Sequence, residues 1–279
     1  MILDQVTGPE TFHGEGPVWS REWGGLRWVD MLAGDVLSLD GETGTVEREH
    51  VGAVAAAVRP RAGGGMVVGV EKGFLLVDGS GGRAEVPAPI AGGVRMNEGG
   101  CDPYGRFLCG SMGYDAEPGR GALHRLGRDL TVETVLAGVT ISNGVAWSPD
   151  GRTMYYVDTP TGRVDAFDYD DTGAVSGRRV VTHVTGGGPD GLTVDAEGCL
   201  WVALWGGGAV HRYGPDGAFL GRVEVPVAQV TACTFGGPGL DELFITTSRY
   251  GLAEPEPEAG AVFREKVGVR GLPTAAFAG

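Results

Sequence analysis

Apolar residues along this chain come in short bursts. Runs such as LRWVD (26–30), GMVVGVE (65–71), FLLVD (74–78), RFLCGSM (106–112), TMYYVD (153–158), CLWVAL (199–204) and ELFITTS (242–248) are rich in β-branched and aromatic residues. Turn clusters such as DGETG, DGSGG, SPDGR, DAEG and GPDG separate them. Short β-rich runs bounded by Gly, Pro, Asp and Asn read as strands and hairpin turns. No stretch sustains a helical period beyond about three turns without meeting Gly or Pro, so the pattern predicts an all-β chain.

The strand–turn units recur. Placing the strand-end residues Trp19, Val58, Cys101, Trp147, Val194 and Phe235 in register gives six units, and the residues four places earlier are Glu15, Val54, Asn97, Asn143, Asp190 and Thr231. Successive spacings in that second set are 39, 43, 46, 47 and 41 residues. A period in the forties built of short strands is the mark of a propeller blade, which predicts a six-bladed β-propeller around a central channel. A chain of 279 residues suits one such domain, residues 1–279. The apolar start MILDQVT is expected to close the ring by joining the last blade, built from 231 to 270.

In a propeller the innermost strands line the channel, so equivalent positions converge at one mouth. Four of the six carry a carboxylate or amide oxygen: Glu15, Asn97, Asn143 and Asp190. Hard oxygen donors suit Ca²⁺, Mg²⁺ or Mn²⁺ better than thiophilic metals. The plainer alternative is that Asn-Gly and Asp-Gly simply make turns, or that polar residues wet the mouth. Four oxygens at one register favour the cation.

Charge and remaining motifs narrow the field. With 22 basic against 36 acidic residues the net charge is −14, which repels the phosphates of nucleic acid and anionic lipid. The N-terminus lacks the basic start and apolar run of a signal peptide, and no stretch reaches the roughly 20 apolar residues of a membrane span, so a cytoplasmic protein is expected. Cys101, Cys109, Cys199 and Cys233 show no CxxC spacing and read as reduced core residues. FDYDDTGAVSG (167–177) lacks the spacing and closing Glu of an EF-hand loop and reads as a solvated hairpin. The five histidines show no paired spacing; His13, two residues before Glu15, is placed to approach the channel. No GxSxG elbow surrounds Ser111, Ser142 or Ser148.

The stretches GEGPVW (14–19), RMNEGGCDPYGRFLCGSM (95–112), SNGVAWSPDGRTMYYVDT (142–159), PDGLTVDAEGCLWVAL (189–204) and TACTFGGPGLDELFITTS (231–248) resemble the senescence marker protein, regucalcin and gluconolactonase family, nearly end to end and in the family's order. The resemblance implies a propeller that holds one divalent cation and hydrolyses sugar lactones. It maps the cation ligands to Glu15, Asn143 and Asp190, and the substrate-hydroxyl contacts to Arg95 and Asn97. Asp115 is the nearest candidate for an acidic substrate contact that some members carry after the G-S/T-M motif, and Tyr114 is an alternative lid residue. Glu98 departs from the pattern, which has Asp there.

The chemistry follows from residue type. A divalent cation stabilises the oxyanion that grows when water attacks a lactone carbonyl, and so few protein ligands leave it open to substrate. Asp190 is the expected catalytic proton handler; the alternative has the cation supply hydroxide, with Asp190 a ligand only. Ca²⁺ is the first choice of cation, with Zn²⁺, Mg²⁺ and Mn²⁺ as alternatives. A metal-dependent esterase or phosphotriesterase, or a non-enzymatic calcium-binding propeller, remain as alternative functions. Oligomeric state, native metal and the identity of the lactone are left open by the sequence.

Overall fold

A computed structural model of the chain describes residues 3–279. It is a six-bladed β-propeller in which every blade is a four-stranded antiparallel sheet. The innermost strands are Gly14–Ser20, Ala55–Pro60, Val94–Cys101, Ser142–Trp147, Gly188–Val194 and Val230–Gly236. The sixth blade is completed from the N-terminal side: Asp4–Gln5 pairs antiparallel with Val262–Lys266, Asp4 opposite Arg264. Met1 and Ile2 of the apolar start lie outside the described residues.

Burial falls off radially, as the sequence pattern requires. The innermost strand Val94–Cys101 is buried throughout, whereas the outermost strands Val46–His50 and Arg83–Pro87, VEREH and RAEVP, are largely exposed. Small and β-branched residues fill the crowded centre, while charges blunt the open edges of the blades. Between the blades, apolar clusters such as Val29, Val58, Val68, Phe74 and Phe107 form the core. All four cysteines are buried and unpaired. Among the described residues, the helical pieces are the 3-10 turns Met31–Ala33 and Thr159–Thr161, and no helix is long and apolar enough to cross a membrane.

Each innermost strand carries a register shift at the same place. Regular pairing with the second strand breaks between Glu15 and Val18, Ala55 and Ala57, Met96 and Gly99, Ser142 and Val145, Pro189 and Leu192, and Val230 and Ala232. A bulge bends its strand and re-aims the side chains within it. Asn97, Asn143 and Asp190 sit inside these interruptions and Glu15 at the edge of one, so a single backbone device repeated around the ring turns one register toward the channel.

The glycines after Asn143 and Asp190 have a role other than turn formation. Neither has a positive φ. A β-carbon on Gly144 would lie 2.6 Å from Leu192 N and 2.8 Å from Asp190 O, and one on Gly191 would lie 2.5 Å from the Ala232 β-carbon. Adjacent innermost strands approach so closely here that only glycine fits.

The C-terminal segment crosses the face opposite these residues. Arg270 O accepts from Ala196 N, Gly271 N donates to Leu240 O, Thr274 Oγ1 donates to Trp19 O, Phe277 N donates to Pro60 O, and Ala278 N donates to Gly105 O. It therefore ties blades five, six, one, two and three together, with Phe277 fully buried.

Candidate metal centre

Glu15, Asn97, Asn143 and Asp190 are all buried, each no more than 4% exposed, in the first half of their innermost strands. Direct contacts join three of the blades. Arg95 Nη1 donates to Asn97 Oδ1 (2.7 Å), and Asn97 Nδ2 donates to Asn143 Oδ1 (3.0 Å) and to Ser142 O (2.9 Å). Asn143 Nδ2 donates to Thr159 Oγ1 (2.7 Å), which donates to Pro189 O (2.8 Å), next to Asp190. Both amide protons of Asn97 are thereby used, leaving its oxygen one free lone pair. The oxygen of Asn143 likewise keeps one lone pair beyond its bond from Asn97.

The carboxylates are less well provided for. Glu15 Oε2 and Glu98 Oε1 each accept the N–H of the following glycine, at 3.3 and 3.0 Å. Among the described residues, Asp190 Oδ1 and Glu98 Oε2 are buried without any hydrogen-bond partner. Burial, then the charges of Asp190 and Glu98, push the Glu15 carboxyl well above its ordinary range. Burial and then Glu98 push Asp190 the same way, against the pull of the Gly191 N–H and Arg95. Burial also raises Glu98, against Arg59, whose Nη2 lies 3.7 Å from Glu98 Oε1. A buried, unpaired carboxylate costs several kcal/mol, against a net stability of about 5–15 kcal/mol for a whole domain. Such a cluster must hold protons or meet a cation, and the unpartnered Asp190 oxygen with the spare lone pair on Asn143 fits a hard divalent cation.

The surrounding wall supplies a neutral imidazole, a guanidinium and aromatic faces. His13 Nδ1 lies 2.8 Å from Ser248 Oγ and Nε2 lies 3.9 Å from Glu15 Oε1. Burial, then the charge of Arg95, lower its pKa to about 3, so it stays uncharged. Its ring packs edge-on against Trp205 and beside Tyr250. The Arg95 guanidinium sits over the Tyr114 ring, 5.8 Å from its centre, and Tyr114 donates to Glu71 (2.9 Å). Phe12, Tyr114 and Tyr250 are each between 42% and 49% exposed, giving the mouth an aromatic rim.

Asp115 stands apart. Its carboxylate is exposed, accepts from Glu117 N and pairs with Arg120 at 3.0 Å. Tyr114 is the residue of that loop which reaches Arg95.

A second acidic group, Asp195, Glu197 and Cys199, brings its ligand atoms within 4.8 Å of one another. Asp195 is already saturated there: it accepts from the N–H groups of Glu197 and Cys199, from Trp201 Nε1 and from Arg212. The trio is a structural turn.

Three features escaped the sequence reading. Arg59 has a visible signal, a lone guanidinium in the apolar strand AAAVRP. Thr159 and Ser248 have none, because their bonds to Asn143 and His13, 16 and 235 residues away, follow no period.

Comparison with known proteins agrees with this fold and shows the family. The family model described as SMP-30/Gluconolactonase/LRE-like region matches residues 13–249. Pentonolactonase XacC of Haloferax volcanii is 38% identical over 286 residues, covering 98% of this chain and 97% of its own. Among solved structures, a luciferin-regenerating enzyme superposes with a TM-score of 0.92 at 30% identity, covering 99% of each chain. The calcium-binding protein regucalcin of Agrobacterium tumefaciens superposes with a TM-score of 0.89 at 30% identity, covering 98% of this chain and 95% of its own. The matched span runs from His13 beside Glu15, through all six innermost strands, to the residue after Ser248, and the chain belongs to the SMP-30/gluconolactonase/LRE-like family.

Proposed function

We propose that this protein hydrolyses a sugar lactone to its aldonic acid at a centre where Glu15, Asn143 and Asp190 hold one divalent cation. The observation that carries this reading is the buried Asp190 oxygen without a partner, beside carboxyls that burial and mutual repulsion have raised. The pentonolactonase name of one relative and the calcium-binding title of another support the two halves of the proposal.

A divalent cation at this position supplies Lewis-acid polarisation of the lactone carbonyl when bound. The chain's own residues do the rest. Arg95 spends one nitrogen on Asn97, Met96 O and Met31 Sδ, which leaves its remaining N–H donors for substrate hydroxyls. The free lone pair of Asn97 accepts from a further hydroxyl. The aromatic rim offers apolar faces to the sugar ring and excludes water around it. Asp190 takes the proton of the attacking water as the new C–O bond forms, and returns it to the ring oxygen as the ester C–O bond breaks. Coordination acidifies a carboxyl, whereas burial and Glu98 raise Asp190, so the two effects oppose each other.

A panel of pentono- and hexonolactones, assayed by acid release before and after chelation, tests the proposal. Turnover lost on chelation and restored by one divalent ion is the expected result. Cation uptake with no turnover on any lactone would contradict it and leave a calcium-binding propeller.

A further inference from the structure

We propose that Thr159 is a positioning residue that sets the Asn143 amide and ties it to the strand carrying Asp190, thereby governing cation affinity. The inference rests on the reading of Glu15, Asn143 and Asp190 as the cation ligands.

Thr159 opens the 3-10 turn Thr159–Thr161 at the end of the second strand of blade four. Its backbone N–H donates to Ile141 O (3.1 Å), just upstream of Ser142 and Asn143. The preceding residue, Asp158, accepts from the N–H groups of Thr140 and Ile141, so the pair 158–159 clamps the loop that leads into the ligand strand. The Thr159 methyl faces Gly188, where a β-carbon would lie 3.2 Å from it. This seating directs the hydroxyl between the two neighbouring blades.

A hydroxyl has one proton to give. That of Thr159 goes to Pro189 O, so toward Asn143 it can only accept, and only the NH₂ side of the amide can face it. The opposite bond agrees: Asn97 presents an N–H to Asn143 Oδ1. The polar chain Arg95, Asn97, Asn143, Thr159, Pro189 O therefore donates in one direction throughout and crosses blades three, four and five. Its consequence is that the Asn143 oxygen, and not its nitrogen, is presented to the channel. At its far end, Pro189 O belongs to the peptide plane leading into Asp190, within the bulge that re-aims that carboxylate. One side chain thus holds ligands from two blades in a fixed relation.

Removing an outer partner of a metal ligand typically weakens metal affinity about 10- to 100-fold. The test is calorimetric titration of CaCl₂ into the metal-stripped full chain, for the natural sequence, Thr159→Val and Thr159→Ser. Val keeps the shape of Thr and its contact with Gly188 but deletes the hydroxyl; Ser keeps the hydroxyl. The expected result is a Kd at least about tenfold weaker for Thr159→Val and within about threefold of the natural chain for Thr159→Ser. Unchanged affinity in Thr159→Val overturns the inference, as does a Ser variant as weak as Val, which would place the effect in the methyl group. Failure of the natural chain to bind Ca²⁺ overturns the metal reading itself, a separate outcome.

Discussion

The two ends of the channel are built from the same six strands and differ in almost every physical respect. At the first end stand Glu15, Asn97, Asn143 and Asp190, in or beside the bulges, with unpartnered carboxylate oxygen on Asp190. Four residues further along each strand, Trp19, Val58, Cys101, Trp147, Val194 and Phe235 are apolar, and pairing there is regular. A cavity of about 400 Å³ lies at that second end, walled by Val18, Cys101, Trp147, Val194 and Phe235 and covered by residues 272–275. Among the described residues, Arg59 is the one charged side chain lining it. What distinguishes the first end is its group of buried carboxyls, Glu15 and Asp190 raised by burial and by the charge of neighbouring carboxylates, a demand that a bound cation would meet.

Variants at the two ends should therefore fail in different ways. Asp190→Asn removes a proposed ligand and proton carrier together; lactone turnover should fall by about 10³-fold or more while thermal melting of the stripped protein holds or improves, since a buried unpaired charge is gone. Retained turnover would remove Asp190 from the chemistry. At the other end, Phe277→Ala should cost about 3–5 kcal/mol of stability, read by denaturant unfolding, with turnover unchanged at temperatures where the variant is folded. A loss of turnover in the folded variant would show that the strap reaches the chemistry.

Arg95→Met keeps the bulk beside Met31 but deletes the donors, and should lower kcat/KM by about 10- to 100-fold, mostly through KM. A fall confined to kcat would move Arg95 from substrate binding to the transition state. The smallest effect is expected at the rim: Asp115→Asn breaks an exposed pair with Arg120 and should change kcat/KM by less than about threefold. A tenfold change would show that this carboxylate turns inward to meet substrate.

Much of this was legible in the chain itself because a propeller writes its geometry as a repeat. The five spacings place Glu15, Asn97, Asn143 and Asp190 at one register, and the structure buries all four within their innermost strands. The dipeptides Asn143-Gly144 and Asp190-Gly191 were legible only in part. Their composition is that of a turn, but their glycines answer to the crowding of neighbouring strands, a tertiary constraint that local propensity does not carry. The C-terminal strap and the bonds of Thr159 and Ser248 were not legible. They join residues separated by up to 255 positions, as Thr274 joins Trp19, and no period marks them.

The central claim is that Glu15, Asn143 and Asp190 share one cation, and the most direct test is calorimetric titration of Ca²⁺ into the metal-stripped chain at several pH values. Burial and repulsion among the carboxyls raise Glu15 and Asp190 above the ordinary carboxylate range, so protons compete with the cation for these oxygens. The expected result is one cation per chain, proton release on binding, affinity that weakens as pH falls, and loss of binding in Asp190→Asn. No uptake, or equal uptake by Asp190→Asn, would contradict it.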